Sequence, residues 1–268
     1  MLDKFFHKTL RIPYSLNIRH QRIVKHAAAT YIFIHGIGDN GDMWQNILAK
    51  LPKNTNYLAI DLLGFGDSPM PLWATYDAKA QARSLLATYL KLRIASRVVV
   101  VGHSLGSLVA VEFAKRYQLL TERLVLCSPP IYDKPTDKLS LTRPALLRWI
   151  YRHASANPGV IVTAYGLGKR LKVINHSLSV EQDNVELFVK SLQSSIINQT
   201  TIDDISRLHI PITMLYGVFD PLIVPSTLRR IARSNSQISS QSIATSHIID
   251  SVYQRQLLKI LDSTVTAK

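Results

Sequence analysis

The chain has 268 residues, of which 47% are hydrophobic and 19% are charged. This composition excludes a disordered protein and predicts one large domain, or a core with an inserted subdomain. The single cysteine excludes a disulfide framework and a cysteine-based zinc site. No apolar run reaches the roughly 18 residues of a membrane helix, and the first residues do not form a signal peptide, so we expect a cytoplasmic protein.

The net charge of +14 is distributed unevenly along the chain. Residues 134–172 contain eight basic residues and one acidic residue, whereas acidic residues predominate in residues 173–206. No DNA- or RNA-binding signature accompanies the basic charge, so we expect no nucleic-acid partner. Two interpretations of residues 134–172 stay open: a solvated basic face, or a surface that attracts an anionic substrate or contacts a lipid membrane peripherally.

In the first half of the chain, short β-rich apolar segments alternate with segments of helical length. We predict strands over residues 31–34, 57–60, 98–101 and 124–126, and helices over residues 42–50, 77–92 and 105–117. Strands that alternate with helices form a parallel sheet, because each connection crosses back over a face of the sheet. The pattern therefore predicts the α/β class, with a mostly parallel central sheet flanked by helices.

This alternation is interrupted between residues 133 and 207, where we predict no strand. Thr142–Ala154 has the pattern of a helix, and a capping box formed by Ser179 and Gln182 precedes a second helical segment. The apolar stripe of that second segment consists of Val185, Phe188, Leu192 and Ile196. We therefore predict a helical insertion over residues 133–207.

The strand–helix pattern resumes after the insertion. We predict strands over residues 212–216 and 237–243, and helices over residues 226–232 and 248–261. The chain is thus expected to have two parts: a core formed by residues 1–132 and 208–268, and a cap formed by residues 133–207.

The pentapeptide GHSLG at residues 102–106 is the strongest chemical signal in the sequence. It directly follows an apolar strand and precedes a helix, which is the setting of the G-x-S-x-G nucleophile elbow. The glycines are required because this turn is tight. The turn presents the Ser104 hydroxyl at a helix N-terminus, where the N–H of Leu105 is free to bind an oxyanion.

A serine nucleophile needs a general base, and the expected order along the chain is serine, acid, histidine. His247 lies between the last predicted strand and the last helix, which places it at the same sheet edge as Ser104. His209 precedes a strand and is therefore at the wrong edge. Asp220 follows the strand that resumes after the insertion and is the expected acid. Asp133, just past the preceding strand, stays open as an alternative.

The loop after the first predicted strand supplies the second oxyanion donor. Its sequence is HGIG, and we expect the Ile37 N–H to act with the Leu105 N–H, while His35 braces the loop. Three further residues are predicted to contact substrate: Gly36 in this loop, His103 in the elbow and Trp149 in the insertion. No cluster of side chains has the spacing of a metal site, so we expect neither a metal nor a cofactor.

The sequence of the same loop also formally matches a dinucleotide-binding fingerprint. Residues 36–41 fit G-x-G-x-x-G, and Asp61 stands 20 residues beyond Gly41 at the end of the next strand. Asp39 and Asp42, however, would repel a pyrophosphate. This interpretation also leaves Ser104, the acid and the histidine without a role. We therefore expect Asp61 to stabilise its own turn.

Taken together, the segments HGIG, DLLGFGDS and GHSLG, followed by Asp220 and His247, resemble the α/β-hydrolase fold family. The resemblance covers nearly all of the chain outside the insertion, and it implies that the insertion is a cap over the active site. It implies a serine hydrolase that cleaves a carboxylic ester or thioester. The substrate is expected to be a small molecule, either neutral or anionic. Two alternatives stay open: a carbon–carbon bond hydrolase acting on a vinylogous diketone, and a non-catalytic ligand-binding protein with the same fold.

Overall fold

A computed structural model describes residues 2–94, 96–132, 185–197 and 199–266. Within these ranges the chain forms a seven-stranded sheet with the strand order β1-β3-β2-β4-β5-β6-β7. Strand β1 pairs antiparallel with β3, and all the other pairs are parallel. The strands are β1 Ile18–Arg22, β2 Ala29–Ile34, β3 Thr55–Ile60, β4 Val98–His103, β5 Thr121–Cys127, β6 Ile212–Gly217 and β7 Ile238–Ile243.

Helices cover both faces of the sheet. Short 3₁₀ turns occur at Gly41–Trp44 and Gln118–Leu120, and π-helical turns occur at Phe5–Thr9 and Leu192–Ile197. The α-helices are α1 Leu2–Lys4, α2 Gln45–Leu48, α3 Ala78–Lys91, α4 Leu105–Arg116, α5 Val185–Ser191, α6 Thr201–Ile205, α7 Pro225–Ser234 and α8 Ser251–Thr266. The predicted fold class, an α/β fold with a mostly parallel central sheet, is confirmed.

The apolar strands bury both of their faces, because side chains alternate across a pleated strand. In β4, Val98 and Val100 pack with α3 and α4 on one side, whereas Val99 and Val101 pack with α2 and α8 on the other. This explains why the strand begins with four consecutive valines and not with an alternation of apolar and polar residues.

The sequence-based assignments differ from the structure in three places. Strand β1, Ile18–Arg22, was not predicted, because its sequence IRHQR is polar and its side chains are mostly half-buried. The predicted helix over residues 42–50 is a 3₁₀ turn followed by the single helical turn α2. In the predicted stripe of residues 185–196, Phe188 is half-buried and the core position belongs to Leu187.

Part of the predicted cap lies within the described residues. Helix α5, the turn after it and α6 are helical, and Leu187, Leu192 and Ile196 join the core cluster on the α4 side of the sheet. The predicted helix Thr142–Ala154 and the capping box of Ser179 and Gln182 lie outside the described residues. The division into a core and a cap therefore stays a prediction.

Candidate active site

The predicted triad residues follow three parallel strands at the same edge of the sheet. Ser104 follows β4, Asp220 follows β6 and His247 follows β7. In open α/β sheets the carboxyl edge is where ligands bind, because the loops that leave the strands there surround a shared crevice.

The turn at Ser104 has the strained geometry of a nucleophile elbow. Ser104 adopts φ 51° and ψ −120°, a backbone conformation that side-chain-bearing residues rarely occupy. A Cβ added at Gly102 would collide with the Gly106 carbonyl, and one added at Gly106 would lie 2.5 Å from the Ile34 and His35 carbonyl oxygens. The tight approach of α4 to β2 and β4 therefore requires both glycines, as predicted.

Two backbone N–H groups near Ser104 have no acceptor among the described residues. Leu105 is the first residue of α4, so its N–H has no partner within the helix. Across the described part of the chain, the hydrogen bonds include none donated by the N–H of Leu105 or of Ile37. Gly36, next to Ile37, lies close to the nucleophile, since a Cβ added there would be 3.2 Å from the Ser104 Cβ. These donors are suited to an oxyanion.

Asp220 and His247 form a short hydrogen bond between their side chains. The His247 Nδ1 donates to Asp220 Oδ2 at 2.7 Å, and the Asp220 side chain is fully buried. The other carboxylate oxygen, Oδ1, accepts from the Leu222 N–H at 2.9 Å. Burial alone would raise the pKa of Asp220. The hydrogen bond and charge of His247, the Leu222 N–H and Ser128 lower it by more than burial raises it, so the pKa of Asp220 lies below the usual range.

The remaining link of the predicted triad would join Ser104 to His247. Among the described residues, no hydrogen bond joins Ser104 Oγ to His247. The His247 ring nevertheless lies 4.8 Å from the ring of His103, the residue that precedes the serine. Catalytic hydrogen bonds are often long in unliganded sites and shorten when substrate binds.

His103, predicted to contact substrate, supports the loop that carries His247. Its Nε2–H donates to the His247 carbonyl oxygen at 2.9 Å, while its buried Nδ1 has no partner within the described residues. Burial, followed by the nearby His247, lowers the pKa of His103 to about 3. The ring is therefore neutral and carries its proton on Nε2. Its contact with substrate stays a prediction, and Trp149 lies outside the described residues.

His35 braces the HGIG loop after β2, as predicted. Its Nδ1–H donates to the Gly36 carbonyl at 2.6 Å, and its Nε2 accepts from the Leu62 N–H at 2.8 Å. Burial lowers the pKa of His35, which keeps the ring neutral and able to accept at Nε2. The imidazole thus ties the loop after β2 to the loop after β3.

Asp61 makes a second tie between these loops. Its fully buried carboxylate accepts from the backbone N–H groups of Gly41 and Asp67, at 2.8 and 3.0 Å, and from the Asn17 side chain at 2.8 Å. Arg19 of β1 adds an ion pair at 2.9 Å. A carboxylate enclosed in this way cannot reach a ribose, which contradicts the dinucleotide fingerprint and agrees with the predicted turn-stabilising role.

We expect Asp61→Ala to lower the free energy of unfolding by about 3 kcal/mol at neutral pH, because it leaves the N–H groups of Gly41 and Asp67 without their acceptor and removes the buried partner of Arg19. Asp67→Ala removes an exposed partner of Arg19, at 2.7 Å, and should cost less than about 1 kcal/mol. Urea denaturation of the two variants measures the difference.

The pH dependence supplies a second readout for Asp61. Burial alone would raise the pKa of Asp61. The N–H groups of Gly41 and Asp67 and the side chains of Asn17 and His35 lower it by more, so the pKa of Asp61 lies below the usual range. Its stabilising effect is therefore complete above the unfolded-state pKa of about 4 and is lost as the pH falls through the folded-state value. The stability gap between wild type and Asp61→Ala should narrow in acid; a constant gap would contradict this role.

The described part of the chain contains no group of three or more His, Cys, Asp or Glu side chains placed to hold a metal ion. Its helices are all too short or too polar to cross a membrane.

Two contacts that support the site were not predicted from the sequence. Asp61 was expected to stabilise its own turn, but its partner Arg19 lies on the unpredicted strand β1. The bond from His103 to His247 joins residues 144 positions apart. For the contact between Arg19 and Asp61, the only signal in the sequence was a basic residue in a polar segment. The sequence contained no signal for the bond from His103 to His247.

The sheet, the elbow and the Asp–His pair are those of an α/β hydrolase. The alpha/beta hydrolase family model matches residues 31–245, so the chain belongs to that family. An uncharacterized protein of Mycobacterium tuberculosis is 43% identical over 97 residues, which are 36% of this chain and 28% of that protein. The chain thus matches less than a third of that relative's length.

Two further similarities extend over more of the chain. Lipase 3 of a Moraxella species is 27% identical over 214 residues, which are 75% of this chain and 65% of the lipase. The structure of a thermophilic esterase from Thermogutta terrifontis is similar with a TM-score of 0.67 at 20% identity, over 90% of both chains. At this identity, the structural similarity establishes the fold alone.

Proposed function

We propose that the chain is a serine hydrolase that cleaves a carboxylic ester or thioester, with Ser104, His247 and Asp220 as its triad. The observation that carries the proposal is the 2.7 Å hydrogen bond from His247 to a buried carboxylate, at the same sheet edge as a strained serine turn. The cap formed by residues 133–207 is part of the proposal, because helix α5 and the turn after it already pack beside α4.

The proposed reaction begins when Ser104 Oγ attacks the carbonyl carbon and its proton moves to His247 Nε2. The Ile37 and Leu105 N–H groups donate to the resulting oxyanion. Because His247 Nδ1–H donates to Asp220, the imidazole presents an unprotonated Nε2 in the resting state, and the carboxylate stabilises the cation that forms.

The acyl-enzyme forms when the tetrahedral intermediate collapses. The bond to the alcohol or thiol breaks, and the leaving group takes the proton from His247. A water molecule then gives a proton to His247 and attacks the acyl carbon. The second collapse releases the carboxylic acid and returns the proton to Ser104 Oγ.

A fluorophosphonate probe and a panel of p-nitrophenyl esters of rising acyl length test the proposal. We expect stoichiometric labelling of Ser104 and turnover of at least one ester. Ser107→Ala is the matched control, since the Ser107 hydroxyl is bonded to the Gly102 carbonyl at 2.7 Å and should not be needed for labelling. Absence of both labelling and turnover would favour a ligand-binding protein. Labelling without ester turnover, together with cleavage of a vinylogous diketone, would favour the carbon–carbon bond hydrolase.

His103→Phe is expected to lower kcat by about tenfold, because it keeps a buried ring but removes the hydrogen bond that positions the His247 loop. His103→Gln retains an N–H donor and should recover part of the activity. A purely structural role would change thermal stability in step with activity. We expect instead that His103→Phe also displaces the pH–rate profile, a change that a loss of stability alone would not produce.

A further inference from the structure

Exposed apolar side chains are concentrated in one region of the described chain. Of the thirteen large hydrophobic residues that are exposed, seven lie in residues 2–12 and 70–72. Leu2 and Leu72 are the most exposed of these, at 72% and 77%. Monomeric proteins seldom expose contiguous apolar surface unless it contacts a partner or a membrane. The seven residues are Leu2, Phe5, Phe6, Leu10, Ile12, Met70 and Leu72.

The segment that carries five of these residues is fixed to the domain. Tyr14 stacks on His7 with ring centroids 3.7 Å apart, donates a hydrogen bond to Asp3 at 2.7 Å, and lies 5.8 Å from the ring of Trp73. Arg83 of α3 donates to the Arg11 carbonyl at 2.8 Å. The apolar side chains are therefore held outward on a built surface.

Basic side chains surround the same surface. Lys8, Arg11, Lys79 and Arg83 line a cleft of about 330 Å³ between the segment and α3, and Lys4 directly precedes Phe5 in the same segment. Within the described part of the chain, none of these five cations is paired with a carboxylate. The two nearby acids are engaged elsewhere, because Asp3 accepts from Tyr14, and Asp77 caps α3 by accepting from the Ala80 N–H.

An apolar surface bordered by unpaired cations complements one kind of partner. Anionic phospholipid headgroups attract the cations, and the acyl boundary accepts the apolar side chains. A second copy of this chain would bring like charges together, which costs energy. Phe5 and Phe6 each lie about one helical turn after Leu2, at i+3 and i+4, so both are neighbours of Leu2 on the surface of this segment.

We infer that residues 2–12, with Met70, Leu72, Lys79 and Arg83, form a membrane-docking surface for bilayers that contain anionic phospholipid. This surface lies on the active-site side of the domain. Residues 70–72 belong to the loop after β3, whose carboxyl edge it shares with Ser104, and the Leu72 carbonyl accepts from Lys190 of α5 at 3.3 Å. Docking would hold the proposed cap next to the bilayer, although the binding itself does not depend on the proposed hydrolase activity.

Co-sedimentation of the full chain with phospholipid vesicles tests the inference. We expect binding to vesicles of phosphatidylcholine with about 30 mol% phosphatidylglycerol, and weaker binding to phosphatidylcholine alone. The double variant Phe5→Ser/Phe6→Ser should weaken binding to the anionic vesicles by at least about tenfold, because it removes two inserted rings. Lys8→Glu/Arg11→Glu should weaken it to a similar extent and reduce its salt dependence.

Matched controls lie at the opposite edge of the sheet. Leu119→Ser changes a side chain that is 91% exposed just before β5, and Lys50→Glu/Lys53→Glu changes two exposed cations before β3. Neither control should change vesicle binding by more than about twofold. All the substituted side chains are exposed, so circular dichroism should show a wild-type fold.

Three outcomes would overturn the inference: no binding to anionic vesicles, equal binding to neutral vesicles, or equal losses in the controls. Self-association that disappears in Phe5→Ser/Phe6→Ser, without vesicle binding, would assign the surface to a second copy of the chain. Ser104→Ala should bind vesicles as wild type does, which separates failure of this inference from failure of the proposed function.

Discussion

Ser104→Ala is expected to lower kcat for a p-nitrophenyl ester by about 10⁶-fold, the scale of loss when a triad nucleophile is removed from other hydrolases. The reason is that the variant retains the oxyanion donors and the Asp220–His247 pair but has no oxygen to form the acyl-enzyme. The fold should survive, since the described hydrogen bonds of Ser104 run through its backbone: its N–H donates to Cys127 at 2.9 Å, and its carbonyl accepts from the Ser107 N–H at 2.9 Å.

Steady-state assays and intact-protein mass after fluorophosphonate treatment provide independent measurements of this variant. Ser107→Ala, three residues along the same helix, should retain both activity and labelling. A Ser104→Ala variant that keeps activity within tenfold of wild type would contradict the assignment of the nucleophile. A variant that still takes up the probe would place the reactive serine elsewhere.

The strands that form the centre of the fold could be predicted because their apolar residues indicate that they are buried. Strands β2 to β6 lie between two helical layers, and most of their buried residues are aliphatic or aromatic. Strand β1 lies at the edge and pairs only with β3. Its side chains are mostly half-buried, so no hydrophobic pattern marks it.

The same distinction separates the parts of the site that could be predicted from those that could not. The elbow could be predicted because its constraint is local. Five consecutive residues must make one tight turn, and the glycines at two of these positions indicate that turn. The ties made by Asp61 and His103 join segments that are distant in the chain. Hydrogen bonds of this kind depend on which loops the completed sheet brings together. Residue type alone does not specify which loops meet.

Asp220→Asn is expected to lower kcat by about 10⁴-fold while leaving the fold intact. An asparagine amide is close to the carboxylate in size, but its Nδ2 group can donate to His247 Nδ1. That exchange would place the imidazole proton on Nε2, where the base must be unprotonated to accept from Ser104. It also removes the negative charge that stabilises the imidazolium formed during the reaction.

The pH–rate profile distinguishes this role from a structural one. Because the pKa of Asp220 lies below the usual range, the carboxylate stays ionised throughout the neutral and alkaline range and does not itself limit the wild-type rate there. The rate should instead fall in acid, because the general base of a serine hydrolase acts only in its unprotonated form. In Asp220→Asn the loss of kcat should persist at every pH, because a wrong tautomer is not corrected by raising the pH.

Asp250→Asn is a demanding control for this variant, because it makes the same chemical change three residues from His247. The Asp250 side chain accepts from the N–H groups of Val252 and Tyr253 at the start of α8, a capping role that asparagine also fills. It should therefore retain wild-type kcat. Asp133→Asn tests the alternative acid, which lies outside the described residues, and should change kcat little. A larger loss in Asp133→Asn than in Asp220→Asn would move the acid to the strand before the insertion, and the buried Asp220–His247 hydrogen bond would then need a structural explanation.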